Sequence, residues 1–560
     1  MNTTPYAPEE PIAAIATALA PAALGIVRCS GTGCIALLAK LFSRPTALLT
    51  ASGNTLVYGW LCEPATANDA PATTAADNRF TKAAASSRAR IDEVLIAVYR
   101  APKSFTGEEM AEINCHGGIA VITAVYRLLL ANGFRAAERG EFTFRAYING
   151  KTDLTRAEAV REIIESKTDA SRSRAAGRLA GTLYAAIDTV KRRIIDTLAA
   201  IEVEIEYPED EETIADNVDT AALAEIARDL AVLADSWQSE KIYQDGARVV
   251  LCGRTNAGKS SLFNALLKED RAIVSDIAGT TRDWLESWVD FGGIPARLFD
   301  TAGLRKTADL IEQRGVALTH DLIADADVVL YIIDATVGVT ADDRTFFAEL
   351  HGAHETTTPM HKIPPTTEDE AHTAARTRQG TPLVLVWNKA DLLEDGAATT
   401  TRDGANRADR NLHHNNSAET VAARAVSHSS RQMQPAAANN IAADVAPFPP
   451  CPEANAVATF AVSAQTGAGI ADLCAAVRAV LTQHTHGSRA PAGLGSERQR
   501  RCVAEALERV RHALALTADY ALDAVVQDLE DALDALGAVT GDVTPDDILD
   551  SVFAHFCVGK

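Results

Sequence analysis

Nine cysteines are spread over 560 residues, and no two of them form a C-x-x-C pair. That spacing speaks against a disulfide framework or a zinc ribbon. Long apolar runs are missing as well: no eighteen residues in a row are strongly apolar, so no membrane span is expected. Ile12–Val27 comes nearest, but it is alanine-rich and broken by Pro21. Glu9 and Glu10 precede it where a secretory signal carries positive charge, so the expected compartment is the cytoplasm. Positive charge is in deficit too. Fifty-three Lys and Arg stand against 75 Asp and Glu, a formal net charge of −22, which argues against indiscriminate nucleic-acid binding. RNA contact would need a local basic patch, such as Arg172 with Arg174 and Arg178, or Lys191–Arg193, or Arg498–Arg501. The ordinary reading of each is a solvated helix face.

What the chain does have is 47% apolar residues and a length suited to roughly three domains. Its organising stretch is Arg248–Leu262, RVVLCGRTNAGKSSL. Arg248–Cys252 reads as a short buried strand, and Gly253 with Gly258-Lys259-Ser260 completes the spacing G-x-x-x-x-G-K-S. Such a loop lets backbone N–H groups approach a polyphosphate while the following helix presents its positive end. Lys259 is placed to reach the β/γ-phosphates, and the Ser260 hydroxyl to complete a magnesium shell.

Ahead of this stretch, residues 11–150 mix strand-like runs (Leu24–Cys29, Val94–Tyr99, Ala111–Cys115) with one clear helix, Ile119–Asn132, an α+β pattern. From Leu154 the period turns helical, to about Glu206 and again over Thr220–Tyr243. Strand and helix then alternate as in a doubly wound α/β domain. His351–Gly380 and Asp395–Pro452 interrupt it with Ala, Thr, Asn, His and Pro and no periodicity, so they read as insertions. Strands are expected at Leu383–Asn388 and Ala458–Ala464, and helices return from Arg498. The expected architecture is multidomain. An α+β amino-terminal domain (1–150) precedes an all-α helical domain split into 151–246 and 487–560, with a Ras-like, doubly wound P-loop G domain (247–486) inserted into it.

The phosphate loop has company. Asp300-Thr301-Ala302-Gly303 follows a strand, where the aspartate can hold magnesium through water and the glycine N–H can sense a γ-phosphate. Asn388-Lys389-Ala390-Asp391 follows another, and Asp391 can accept both N–H donors of a guanine edge. Ser463 and Ala464 suit a backbone contact to the same base, and Thr281 is the second hydroxyl ligand for magnesium. In this order, each at a strand end, these motifs describe a GTP-binding domain. Asn256, Ala257 and Ser261 complete the loop. Leu304 stands where Ras-like enzymes carry a water-orienting glutamine, which makes Glu312 a candidate for that task.

These residues resemble the MnmE (TrmE) family of tRNA wobble-uridine modification GTPases. The likeness extends to Gly25-Ile26-Val27-Arg28, Ser104–Glu108, His116-Gly117-Gly118, Gly140-Glu141-Phe142, Asn149–Glu158 and the terminal Cys557-Val558-Gly559-Lys560. The resemblance implies a folate-binding, homodimer-forming amino-terminal domain and a potassium-stimulated G domain. It also implies an FAD-dependent partner, MnmG, with which the family adds an aminomethyl or carboxymethylaminomethyl group to uridine C5 of certain tRNAs. A tetrahydrofolate derivative, 5-formyl- or 5,10-methylene-, supplies the one-carbon unit. Carried over by position, Arg28, Glu112, Lys151 and Lys560 are folate contacts; Asn256, Ser275, Ile277 and Thr280 hold potassium; Glu312 is catalytic. Cys557 is a further catalytic candidate, since the family's tail points toward the folate pocket; its ordinary reading is a small apolar residue packing beneath Phe553 and Phe556. The rival expectation is an Era-type ribosome-assembly GTPase without modification chemistry. It calls for a basic RNA-binding module at the carboxyl end, where this chain carries the acidic helical stretch Asp519–Asp534.

Overall fold

The computed structural model describes residues 10–64, 89–206, 219–268, 285–300, 322–323, 325–355, 381–393, 451–483, 492–517, 521–542 and 546–559. The chain divides into two compact units, Met1–Gln244 with His486–Lys560, and Asp245–Thr485. No described helix is long and apolar enough to cross a membrane.

The first unit opens on a mixed sheet: β1 (Ile12–Ile15), β2 (Leu24–Ser30), β3 (Thr55–Cys62), β4 (Arg90–Tyr99), β5 (Met110–His116) and β6 (Arg135–Ala136), in the order β3-β4-β5-β2-β1-β6. Strand β4 shows why one face is covered: Val94, Ile96 and Val98 are buried while Leu95 between them is exposed. Helices α1 (Cys34–Lys40), α2 (Pro45–Thr50) and α3 (Ile119–Ala131) contribute to the core on that face. The α3 helix buries Ile122, Val125 and Leu129, a helical stripe. Two of these strands were hidden in sequence, β1 by its alanines and β3 by Gly59 in mid-run.

After α4 (Glu141–Ile148) the unit turns all-helical, with α5 (Leu154–Glu165), α6 (Asp169–Leu179), α7 (Thr182–Glu206) and α8 (Thr220–Gln244). The second unit then intervenes. Its elements are β7 (Ala247–Gly253), α9 (Lys259–Leu266), β8 (Leu285–Phe291), β9 (Ile294–Asp300), β10 (Val328–Asp334), α10 (Ala341–Glu355), β11 (Leu383–Asn388), β12 (Ala458–Ala461) and α11 (Ile470–Gln483). Its sheet runs β12-β11-β10-β7-β9-β8, parallel except where β8 meets β9. Central β10 and β11 are apolar and buried along nearly their whole length, as parallel strands covered on both faces must be.

The chain returns to the first unit with α12 (Glu497–Leu516), α13 (Leu522–Thr540) and α14 (Asp546–Ala554). Helices α7 and α8 share one core with α12 and α13, so segments from both sides of the second unit build a single bundle. The outgoing and returning segments are also joined through polar groups. Arg178, 3% exposed, donates to Glu162 Oε2 (2.7 Å) and Glu240 Oε2 (2.9 Å), and reaches the Gly493 carbonyl at 3.4 Å. Beside it Gln244 Nε2 donates to the Gly495 carbonyl (2.8 Å), and Leu494 N–H to the Ser236 hydroxyl (3.2 Å).

Three sequence expectations shift. The first insertion was expected to begin at His351, but α10 continues through Glu355. The second was expected to reach Pro452, yet Pro452–Ala454 forms a single 3-10 turn whose Ala454 is buried and whose Cys451 packs on the same core. The strand expected to reach Ala464 stops at Ala461, because beyond it the backbone turns to serve Asn388.

Candidate functional sites

Strand β7 delivers the chain to Gly253, and the loop closes at Gly258, the N-cap of α9, with φ of 90°. A Cβ at Gly258 would lie 2.1 Å from Asn388 Nδ2, so both the backbone angle and the close approach demand glycine. Lys259 is 7% exposed, and its Nζ donates to the carbonyls of Gly253 (2.9 Å) and Arg254 (2.7 Å). The ammonium is thus held over the mouth of the loop. Cys252 lies beneath; burial pushes its thiol up to about 12, against the pull of Lys259. It is packing material, not a nucleophile.

Ser260 Oγ donates to Asp300 Oδ2 at 2.9 Å. A hydroxyl and a carboxylate at the ends of neighbouring elements form a hard-oxygen set that fits magnesium. Asn388 is 1% exposed; its Nδ2 donates to the Ala257 carbonyl (3.0 Å), and its Oδ1 accepts the Ala464 N–H (3.1 Å). One amide therefore ties the phosphate loop to the segment carrying Ser463 and Ala464. Asp391 is half-buried, Ser261 exposed, and Asn256 exposed with a left-handed φ of 66°. Ser275, Ile277, Thr280, Thr281, Thr301, Ala302, Gly303 and Glu312 lie outside the described residues, as does Lys560.

In the first unit Arg28 on β2 pairs in register with Glu112 on β5. The Arg28 Nε and Nη2 both donate to Glu112 Oε1 (3.0 and 2.7 Å), and Nη1 donates to the Gly559 carbonyl (3.0 Å). The guanidinium carbon lies 5.9 Å from the Phe105 ring centre and 5.7 Å from that of Phe142. Tyr99 reaches Glu112 Oε2 at 3.3 Å, and Lys151 Nζ donates to the Pro102 carbonyl at 3.0 Å. Two cations, a carboxylate and the partly exposed Phe105 ring fit a flat heterocycle with an anionic tail.

The tail reaches this place by firm anchoring. Phe553 and Phe556 are buried against Phe144, Tyr147 and Leu154, and Gly559 (φ 92°) passes so near Ile15 that a Cβ would lie 2.8 Å from its carbonyl oxygen. Cys557 is exposed, so packing beneath Phe553 does not account for it. The sequence missed the Arg28–Gly559 contact, for which a separation of 531 positions leaves no local signal.

Most residues of the three basic patches are paired. Arg174 and Arg178 pair with Glu240, Arg172 with Asp169, Lys191 with Asp542, Arg192 with Asp188, Arg193 with Glu225 and Asp229, Arg498 with Glu158 and Arg500 with Glu497. Most of these cations are spent inside the protein and leave little local surplus for a phosphate backbone.

Comparison with known proteins adds an independent line. The description "GTP-binding protein TrmE N-terminus" matches residues 11–151 and "MnmE helical domain" residues 154–557. A protein of Treponema denticola called tRNA modification GTPase MnmE is 42% identical over 568 residues, covering 100% of both chains. Its namesake in Treponema pallidum is 40% identical over 564 residues, again covering 100% of both. One from Carboxydothermus hydrogenoformans is 34% identical, covering 99% of this chain and 100% of that one. A solved structure of Era from Aquifex aeolicus covers 47% of this chain and 66% of its own at 18% identity and a TM-score of 0.21.

Proposed function

We propose a function from one premise: the chain belongs to the MnmE family, whose matching relatives are called tRNA modification GTPases. It is a GTP hydrolase acting in tRNA modification. The observation that carries the GTPase part is the joining of the phosphate loop, Asp300 and the Asn388 motif at the ends of strands of one sheet. In this reading Lys259 and the loop N–H groups hold the β/γ-phosphates, Asp391 reads guanine and Glu312 orients water. A magnesium ion at Ser260, Asp300 and Thr281 neutralises charge on the phosphates when bound. Potassium at Asn256, Ser275, Ile277 and Thr280 supplies positive charge in the role of an arginine finger.

The finer chemistry belongs to the first unit. Arg28, Glu112, Lys151 and Lys560 bind a tetrahydrofolate derivative, which supplies the one-carbon unit for uridine C5. Arg28 holds the terminal tail by the Gly559 carbonyl, and in this reading the exposed Cys557, two residues before it, serves the same site. The working assembly is a homodimer with the FAD-dependent MnmG and tRNA, in the cytoplasm. The test is nucleoside analysis of tRNA from a deletion strain. Wobble uridines lacking their C5 group, restored by the wild-type gene and not by Cys557→Ser, are expected. Modified bases that return with Cys557→Ser make the cysteine structural, and wobble uridines unchanged by the deletion overturn the modification reading.

A further inference from the structure

Lys389 has a backbone and a side chain that the guanine-binding motif alone does not explain. Among the described residues, four outside glycine have positive φ: Asn54, Asn256, Asn455 and Lys389 at 64°. Asparagine tolerates that region; lysine adopts it only where neighbours impose it. Its Nζ lies 2.6 Å from Oδ2 of Asp334, the last residue of β10, which pairs directly with Asn388 in register. Asp334 Oδ1 accepts the Thr336 N–H (2.9 Å) and hydroxyl (2.6 Å), and Ala335 N–H donates to the Asn388 carbonyl (2.9 Å). Burial works against ionisation of Asp334, yet Lys389 and Thr336 hold its carboxyl below the usual range.

We propose that Asp334 is a positioning residue for guanine recognition: it anchors the Lys389 ammonium so that the lysine's four-carbon stem is a fixed apolar floor beside the Asp391 carboxylate. This rests on the GTP-binding reading above. A purine stacks on such a floor, and the ammonium at its end is committed to Asp334. A free lysine would have to be ordered by the nucleotide itself, at the expense of affinity. Because guanine is common to GTP and GDP, the effect is the same for both.

The test is titration of the full-length protein with GDP and with a non-hydrolysable GTP analogue, in magnesium. Asp334→Ala raises both dissociation constants about threefold to tenfold. Asp334→Asn keeps an oxygen for Thr336 but loses the charge, and it shows the same rise. Lys389→Ala weakens binding, and adding Asp334→Ala to it produces no further loss. Melting temperatures of the variants separate these effects from unfolding. An Asp334→Asn protein with wild-type affinity overturns the assignment, because capping the turn would then be the whole role. Additive losses in the double variant overturn it as well. A wild-type chain that binds no guanine nucleotide overturns the functional reading instead.

Discussion

Glu162 is a buried carboxyl with one satisfied oxygen. Its Oε2 takes Arg178, while Oε1 has no hydrogen-bond partner among the described residues. Burial raises its pKa from an ordinary 4.5 to about 7, outweighing Arg178 and Arg161; Glu158 adds to the rise. The folded state therefore holds a proton that the unfolded chain has released between those values. Stability from this group is complete below pH 4.5 and is lost as pH rises through 7. Thermal melts of Glu162→Gln are expected to flatten that part of the wild-type pH profile; an unchanged slope counts against Glu162 as its source. At the other site, Asp391→Asn removes an acceptor for two guanine N–H donors. With charged hydrogen bonds at about 1.5–3 kcal/mol each, GTP affinity is expected to fall on the order of a hundredfold. Xanthosine triphosphate, which offers a carbonyl to the new amide, is expected to compete better against the variant than against wild type.

At the scale of elements, the nucleotide site was legible in sequence because each of its parts is a few residues at a strand end. The β7, β9 and β11 ends announce themselves as apolar runs stopped by Gly253, Asp300 and Asn388. By the same rule Asp334 was visible, an acid ending VVLYIID, but nothing local ties it to Lys389, 55 positions on. The amino-terminal sheet was half legible: β2, β4 and β5 alternate or run apolar, whereas β1 gains its place by pairing with β2 and β6. The tail follows the same logic. Gly559→Ala requires a left-handed alanine pressed against Ile15, so it is expected to displace Lys560 and weaken formyl-tetrahydrofolate binding while GTP hydrolysis continues. Equal folate affinity in a calorimetric titration counts against the tail as part of that site.

For the whole molecule, composition still governs what is expected of the sequence insertions. Residues 395–450 carry too few periodic apolar positions to offset the entropy of ordering them. Replacing them with a short linker, while sparing the packed turn at Pro452–Ala454, is expected to leave the melting temperature and GTP turnover nearly unchanged. A large fall in either would show that the segment packs.

The Gln244–Gly495 hydrogen bond, with Arg178 behind it, makes the second unit a cassette. Two chain ends stitched at their exit need no fold between them to stay together, only a covalent bridge of sufficient length. Exchanging the intervening chain for a few glycines and serines shortens that loop by about five doublings, which lowers its closure entropy by about 3 kcal/mol. The host built from the remaining segments is expected to fold on its own and melt no lower than in the whole chain. The stitched exit is therefore also a graft point, where a fluorescent or ligand-gated domain could be spliced in without asking the host to refold around it.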